Sequence, residues 1–395
     1  MREVVIAGAV RTPIGKFGGA LAGLTAAQVG AAAAAEALRR SGVPLHQVDE
    51  AVIGCARQAG GGPNVARQVA FHAGLPQEVP AFTVNMACAS GLKAIGLAFQ
   101  SVRDGDAEAV LAGGVESMSR VPYLLPGARW GYRMGHQELV DGMYQDGFQC
   151  PLAGQVMGET AETLAAQYEI GRDEQDSFAL RSQERAARAL AEGRFESETV
   201  AVKVPGKKGD VEFTRDEHPR ETTPESLRKL PPAFKAEGGS VTAGNSSGIT
   251  DGAAAMVLLS QERAAALGLK PMARILGVAA AGVDPKVMGI GVVPAVKKLL
   301  ERLSLRLGQF DLLEVNEAFA AQVLACDREL GFDAERLNVN GGSIALGHPI
   351  GATGARIVVT LLHEMARRRA RLGLATLCVS GGMGFAAAFE AVTTG

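Results

Sequence analysis

The chain has 395 residues, more than a single hydrophobic core usually holds, so two or three core units are expected. Its 40 basic residues nearly balance 42 acidic ones and aromatics make up only 5%, which excludes both the basic footprint and the stacking platform of a nucleic-acid binder. No apolar run is long enough to span a membrane, and 5 scattered cysteines without a CxxC pair fit reduced thiols in the cytoplasm better than a disulfide framework.

The stretch Met1–Arg11 carries an apolar run too short for a secretory leader, and within it Val4–Ala7 reads as a buried strand. The C-terminal residues VTTG spell no retention or peroxisomal tripeptide. After the first strand, helical and strand-like patterns alternate: helix Thr25–Arg40, strand Glu50–Cys55, helix Asn64–Ala73, strand Ala81–Met86, helix Ala89–Arg103 and strand Ala109–Gly113. Such alternation implies a parallel sheet covered by helices.

Between about 120 and 250 the texture changes. This part holds the single Trp (Trp130), a polar helix over Arg172–Glu192, and a hairpin of Thr199–Val204 with Val211–Thr214 around PGKKGD. Lys207 and Lys208 in that turn read as solvated surface. An excursion this long is expected to form lids or binding loops.

From Ala273 the first order returns: strand Ala273–Val278, helix Gly291–Leu303, strand Leu312–Val315, helix Glu317–Leu330 and strand Asn338–Val339. Helix Gly351–Ala370, strand Ala375–Val379 and segment Phe385–Glu390 complete it. Letters agree at Val84-Asn85 with Val339-Asn340, and at Ala112-Gly113-Gly114 with Ser380-Gly381-Gly382. The chain reads as two copies of one βαβαβαβ unit.

Four segments carry chemistry. Cys88, within Asn85-Met86-Ala87-Cys88-Ala89-Ser90-Gly91, sits between a strand and an amphipathic helix, where free N–H groups favour a thiolate. For a lone cysteine, packing is the commoner role. His348 lies among glycines in Gly341-Gly342-Ser343-Ile344-Ala345-Leu346-Gly347-His348-Pro349, which fits an imidazole held beside open space. Cys378, in CVSGGMG, ends a strand, and Asn316, in NEAFA, begins a strand-to-helix turn. All four fall at strand carboxyl ends, where ligands gather in open α/β sheets. Glu317 reads as a carboxylate favouring the dipole of the helix it opens. The other histidines have no ligand spacing, so no metal site is expected, and Cys55, Cys150 and Cys326 read as inert.

These segments, with AGNSSG at Ala243 and DGAA at Asp251, resemble the signatures of the thiolase family in order and spacing along essentially the whole chain. The resemblance implies an α/β fold of two duplicated βαβαβαβ halves with mixed sheets in layers. It implies an N-terminal half over 1–119 and 251–272, an inserted α/β loop domain over 120–250 and a C-terminal half over 273–395. It also implies an acyltransferase of fatty acid metabolism that joins two acetyl-CoA into acetoacetyl-CoA and CoA, reversibly, through a Cys88 acyl-enzyme.

On that resemblance His348 takes the Cys88 proton, Cys378 is acid and base at the substrate α-carbon, and His348 with an Asn316-held water stabilises the enolate. Backbone N–H groups of Cys88 and Ser380 form a second oxyanion hole, with Ser380 standing where biosynthetic members usually have Gly. Arg220, Ser226, Phe234, Ala243, Ser247, Met157, Ala318 and Phe319 are the implied coenzyme A contacts. Coenzyme A enters as a thioester substrate, and no cofactor is expected.

Val156 stands where short-chain relatives often carry His, which keeps open a degradative 3-ketoacyl-CoA thiolase of longer acyl chains. A decarboxylating ketoacyl synthase or a non-catalytic CoA-binding protein of the same fold fits less well, since Cys378 is present and no catalytic position is lost. Similar proteins are dimers or tetramers, and Gly127–Met143 resembles the family's tetramerisation loop.

Overall fold

A computed structural model describes residues 2–206 and 208–392. Met1, Lys207 and Thr393–Gly395 lie outside the described residues, and with them parts of the leader, turn-lysine and C-terminal readings.

The main strands are β1 (Val4–Arg11), β2 (Glu50–Gly54), β3 (Ala81–Val84), β4 (Ala109–Ser117), β5 (Thr250–Ser260), β6 (Ala273–Gly282), β7 (Leu312–Val315), β8 (Leu372–Val379) and β9 (Met383–Ala391). With the short Gly15–Lys16 strand they form one 10-stranded sheet in the order β7-β8-β9-β6-β1-β5-β4-β2-β3. Outward from the β6–β1 seam the halves run in the same sequence of elements, β9-β8-β7 against β5-β4-β2, and the N-terminal half adds β3 at its edge. Two copies of one unit are therefore visible in topology. The seam itself is slight: only Val5–Arg274 and Ile6–Ala273 pair across it.

The sheet is mixed, not parallel as alternation alone implied. Pairs β2–β3, β2–β4 and β7–β8 are parallel, while β5 runs antiparallel to β1 and β4, and β9 antiparallel to β6 and β8. The 11-residue β5 is buried throughout. Its alanine-rich sequence carries neither alternation nor β-branched enrichment, so nothing local announces a strand.

Two more expectations fail for local reasons. Asn338–Val339 is not a strand, because Asn338 sits at φ 44° and Leu337 alone bridges to Leu313. The Asn338 amide takes over the ladder instead, accepting from Val315 N at 2.9 Å and donating to Val315 O at 2.9 Å. The matched letters Ala112–Gly114 and Ser380–Gly382 are not equivalent either: the first lie within β4, the second beyond the end of β8.

The helices that matter here are α1 (Ala26–Ser41), α2 (Val65–His72), α3 (Ser90–Asp104), α4 (Met157–Gln167), α5 (Arg172–Ala191), α6 (Val292–Leu303), α7 (Ala320–Leu330) and α8 (Ile350–Arg368). Thr25 caps α1 with Gln28 in a reciprocal box, and Asn64 caps α2. Among all described helices none is long and apolar enough to cross a membrane.

Helix α8 is buried on nearly all sides, as expected of a helix inside a protein rather than on its surface. It packs on α3 and touches β4 and β5 of one half and β7 and β8 of the other. Leu92, Ile95 and Val102 of α3 meet Ile357, Val358 and Leu361 of α8 in one cluster, each worth roughly 1.5–3 kcal/mol of burial. The two helices thus form a central layer between the half-sheets.

Glycines let that layer close. A methyl group on Gly351 would stand 2.6 Å from Val115 O and 2.8 Å from Ala56 N, and one on Gly91 would stand 2.8 Å from Ala355 N. Backbone therefore meets backbone where α3 and α8 begin. We predict that Gly351→Ala lowers the unfolding free energy in urea by about 1–3 kcal/mol. Gly23→Ala, with nothing within 4 Å of the added carbon, should stay within about 0.5 kcal/mol of the parent.

Candidate active site

Cys88 is presented by a tight turn between β3 and α3. Ala87 takes φ 43°, an uncommon region for a residue with a Cβ. The turn is clamped on both sides: Asn85 Oδ1 accepts from Ala87 N at 2.9 Å, Met86 N donates to Ser90 Oγ at 2.9 Å, and Ser90 Oγ donates to Ala87 O at 2.7 Å. Cys88 is left half-buried on the wall of a cavity of about 380 Å³.

His348 lines the same cavity. Its tautomer follows from its partner. Thr353 Oγ1 donates its single proton to Pro349 O at 3.0 Å, so at 2.7 Å from His348 Nδ1 it can only accept. Nδ1 therefore carries the hydrogen, and the Nε2 lone pair, without a protein partner, is free to take a proton. Burial, aided by the positive charges of Arg356 and Arg57, lowers the His348 pKa to about 3. The ring is neutral across the physiological range and fit to act as a base.

Asn316 lies fully buried at the end of β7, and its orientation is also forced. Arg356 Nη2 donates to Ser343 Oγ at 3.0 Å, so the Ser343 hydroxyl must donate onward, to Asn316 Oδ1 at 2.6 Å. The Asn316 amide nitrogen, buried and without a protein partner, remains as a donor.

Cys378, at the end of β8, is fully buried and close enough to Cys88 that each thiolate would oppose the other. Burial, then Cys88 and Cys326, push its thiol well above the ordinary range. Burial also raises the Cys88 thiol, against the pull of Arg57 and the backbone N–H groups of Ser380 and Cys88 itself. The helix N-terminus thus does not leave Cys88 a thiolate at rest: desolvation outweighs it. Ser380 takes no left-handed backbone conformation, whereas Gly381 and Gly382 do, at φ 89° and 82°. A side chain at 380 is therefore tolerated and its N–H faces the Cys88 sulfur.

Of the other sequence candidates, Met157, Arg220, Phe234, Ala243, Ser247, Ala318 and Phe319 all line the cavity. The Phe234 and Phe319 rings meet edge to face at 6.1 Å. Ser226 does not line it. It is exposed on the short helix Pro224–Arg228, where it shares a capping box with Thr223.

The helix expected from Glu317 begins only at Ala320, because the loop 243–248 takes the backbone groups its first turn would use. Ser247 N donates to Ala318 O at 3.0 Å and Ala320 N to Asn245 O at 2.9 Å. Glu317 does favour a helix N-terminus, but another one: it accepts from Ile344 N in Ser343–Leu346, and from Ser182 Oγ and Asn338 Nδ2.

Missed by the sequence reading were Arg57, Tyr144, Phe148, His218 and Met288 on the cavity wall, and Ser343 and Thr353 behind it. The five wall residues belong to no motif that announces chemistry, whereas Ser343 and Thr353 stand in the glycine-rich His348 segment, where their hydroxyls gave no signal of their own. A larger depression, of about 500 Å³, opens beside the β6–β1 seam, but it holds no nucleophile. Its Arg2 and Arg274 are paired with Glu108, Glu3 and Glu390.

Comparison with known proteins agrees with this arrangement. Residues 4–262 match the family described as thiolase, N-terminal domain, and residues 269–391 match thiolase, C-terminal domain. The chain belongs to the thiolase family. An acetyl-CoA acetyltransferase of Syntrophomonas wolfei is 53% identical over 395 residues, covering 99% of this chain and 100% of the relative. One of Pseudomonas aeruginosa is 54% identical over 388 residues, covering 98% of each. The crystal structure of the Bacillus anthracis acetyl-CoA acetyltransferase superposes with a TM-score of 0.97 at 48% identity, covering 99% of both chains.

The thiolase site makes a reactivity prediction. Because burial raises the Cys88 thiol, alkylation of the free enzyme by iodoacetamide should accelerate with pH and reach half its maximum no lower than an ordinary thiol, about 8.5. A rate already constant below pH about 7 would show a resting thiolate and contradict the balance of burial over Arg57.

Proposed function

We propose that this thiolase-family acyltransferase is an acetyl-CoA C-acetyltransferase, which condenses two acetyl-CoA into acetoacetyl-CoA and free CoA and runs the reverse thiolysis. The observation that carries the reading is the placement of a thiol, Cys88, and a neutral, unpartnered base, His348 Nε2, on one cavity wall, with a second thiol, Cys378, beside the first.

The chemistry follows from those groups. His348 Nε2 takes the Cys88 proton as the sulfur attacks the thioester carbonyl, and the Cys378 thiol gives its proton to the departing CoA thiolate. The acyl group stays at thioester energy on Cys88, so little is lost in the exchange. A second acetyl-CoA then yields an α-proton to the Cys378 thiolate left by its own proton transfer to CoA. The enolate oxygen meets the now protonated Nε2 of His348 and a water held by the Asn316 amide. Its carbon attacks the acyl-Cys88 carbonyl, and the Cys88 thiolate released on collapse recovers its proton from His348. The backbone N–H groups of Cys88 and Ser380 receive the tetrahedral oxygen. Both oxyanion donors are fixed before substrate arrives, so they need not reorganise during reaction.

Coenzyme A enters past Phe234, Ala243, Ser247, Ala318 and Phe319, with Arg220 and Ser226 toward the nucleotide end and Met157 at the acyl side. Arg220 is already turned inward, donating through Nη2 to Ala243 O at 3.0 Å. The protein works as a homo-oligomer in the cytoplasm. The hairpin of Tyr123–Leu124 with Val140–Asp141 projects Trp130 and Met134, 88% and 93% exposed, an apolar tip suited to a second copy. Sedimentation that shows only monomer at micromolar concentration would remove that part.

Intact-protein mass spectrometry with acetyl-CoA tests the mechanism. Cys88→Ser should form no acyl-enzyme. Cys378→Ala should still acylate Cys88 but lose condensation by about 10³-fold or more. Acylated Cys88→Ser would remove the nucleophile. Ser343→Ala should lower condensation kcat about 10- to 100-fold with little change in KM, because it frees the Asn316 amide to turn while leaving the coenzyme A wall intact. Equal losses in kcat and in acylation of Cys88 would instead mark Ser343 as a packing residue.

A further inference from the structure

Arg57 stands on the cavity wall beside Cys88, Tyr144, Gly147 and Phe148, and beyond its field at Cys88 and His348 the chemistry so far gives its guanidinium no partner. It follows β2, and the neighbouring β4 fixes its backbone: Arg57 N donates to Glu116 Oε1 at 3.0 Å. The guanidinium is another matter. Its Nε is buried with no hydrogen-bond partner, and Nη1 reaches only Ala56 O at a long 3.4 Å. No carboxylate among the described residues forms an ion pair with it. Glu116, the acid that feels its charge, is already occupied by the N–H groups of Ala56, Arg57 and Gly351 and by the Cys55 thiol. A cation placed this way is expected to await an anion.

The surroundings are shaped for that charge. A Cβ on Gly147 would stand 2.8 Å from Arg57 Nε, so the missing side chain makes room for the guanidinium. Gly147 belongs to a π-helical turn, Tyr144–Phe148, whose two aromatic rings meet edge to face at 5.6 Å. Single π-turns recur at functional sites. Arg57 also marks a different part of the wall from Arg220. Arg220 bonds Ala243 O and bears on His218, whereas Arg57 bears on Cys88 and His348. An anion at Arg57 is therefore not the phosphate end of coenzyme A but something carried on the acyl group.

We propose that Arg57 forms an acyl-end anion site, so that this enzyme accepts 3-oxoacyl thioesters whose acyl chain ends in a carboxylate. The inference rests on the thiolase reading above and names a substrate class for the same site. The carboxylate would accept from the two Nη groups, the end of the guanidinium that Gly147 does not cover, in a planar two-pronged geometry. No new chemical step is needed: cleavage leaves acetyl-CoA and a carboxy-terminated acyl group on Cys88, which passes to CoA.

The test compares thiolysis by the wild-type enzyme of 3-oxoadipyl-CoA and of 3-oxohexanoyl-CoA, equal in carbon count and differing in the terminal carboxylate. The read-out is the ratio of their kcat/KM values, in wild type, Arg57→Gln and Arg57→Lys. Arg57→Gln should lower the carboxylate-to-neutral ratio about 10- to 100-fold, and Arg57→Lys should restore part of it. Acylation of Cys88 by acetyl-CoA in each variant reports whether the site is intact. A ratio unchanged in Arg57→Gln would overturn the proposal and leave Arg57 an aid to Cys88 ionisation alone. Wild type that cleaves 3-oxohexanoyl-CoA but not 3-oxoadipyl-CoA would also overturn it, with the thiolase reading intact. Failure on both of these and on acetoacetyl-CoA would bring down the thiolase reading itself.

Discussion

Backbone pressed against backbone where α3 and α8 begin is the constraint on which the rest of the molecule depends. Gly91, Gly351 and Gly354 have no side chains because there is no space for any: the α8 backbone lies against Ala56, Val115 and Leu92. This contact brings two helix starts that are remote in sequence to one place. The loop before α3 carries Cys88 and the loop before α8 carries His348, so their proximity is fixed by main-chain packing rather than by flexible side chains. Interiors this dense do not deform gradually, and an added methyl group must move a whole helix. The glycines around His348 thus serve packing at least as much as they serve access to the imidazole.

That dense setting also decides the charges. Desolvation raises both thiols and lowers the imidazole, so all three groups rest neutral. Charge then develops only when substrate is in place, against donors whose directions are already set. Thr353 fixes one nitrogen of His348, and the chain Arg356–Ser343–Asn316 fixes the amide. Neither arrangement costs reorganisation at the moment of reaction, which is where preorganised dipoles gain their advantage over water. Arg356, itself buried and only 3.7 Å from Glu314, supplies a positive field behind the site without touching it.

The four chemical segments were legible because each joins a reactive side chain to a strand end and to glycines, a combination packing alone does not require. The alternation of elements and their return after Ala273 were legible for a similar reason: buried strands and amphipathic helices leave strong periodic signals. What stayed hidden was set by distant partners. Alanine-rich β5 becomes a strand because β1 and β4 leave a slot between them. The first turn of α7 is lost because the loop 243–248 claims its backbone. Asn338 ends a strand by bonding a neighbour through its side chain. Arg57 stands in no motif, and only the fold shows that it lines the cavity beside Cys88 with no ion-pair partner among the described residues.

The chemical residues are divided between the two halves, and the long segment inserted between the neighbouring strands β4 and β5 spans the division. The N-terminal half contributes Cys88, while the C-terminal half contributes Asn316, His348 and Cys378. The seam joining their sheets is two residue pairs long. Such a seam cannot hold the halves in register alone, and the central pair α3 and α8 supplies most of the joint. The insertion leaves the N-terminal half yet packs on the C-terminal one: Phe178 and Leu164 join the cluster of α6 and α7, and Arg185 donates to Leu337 O and Ala334 O. It therefore acts as a strap across the seam as well as a wall for the ligand. Because the same loop 243–248 that lines the cavity is bonded to the Asn316–Ala320 turn, displacement of the strap would disturb the wall and the Asn316 amide together. Substrate held by that wall in turn adds contacts between the halves, so binding and the integrity of the catalytic junction reinforce one another.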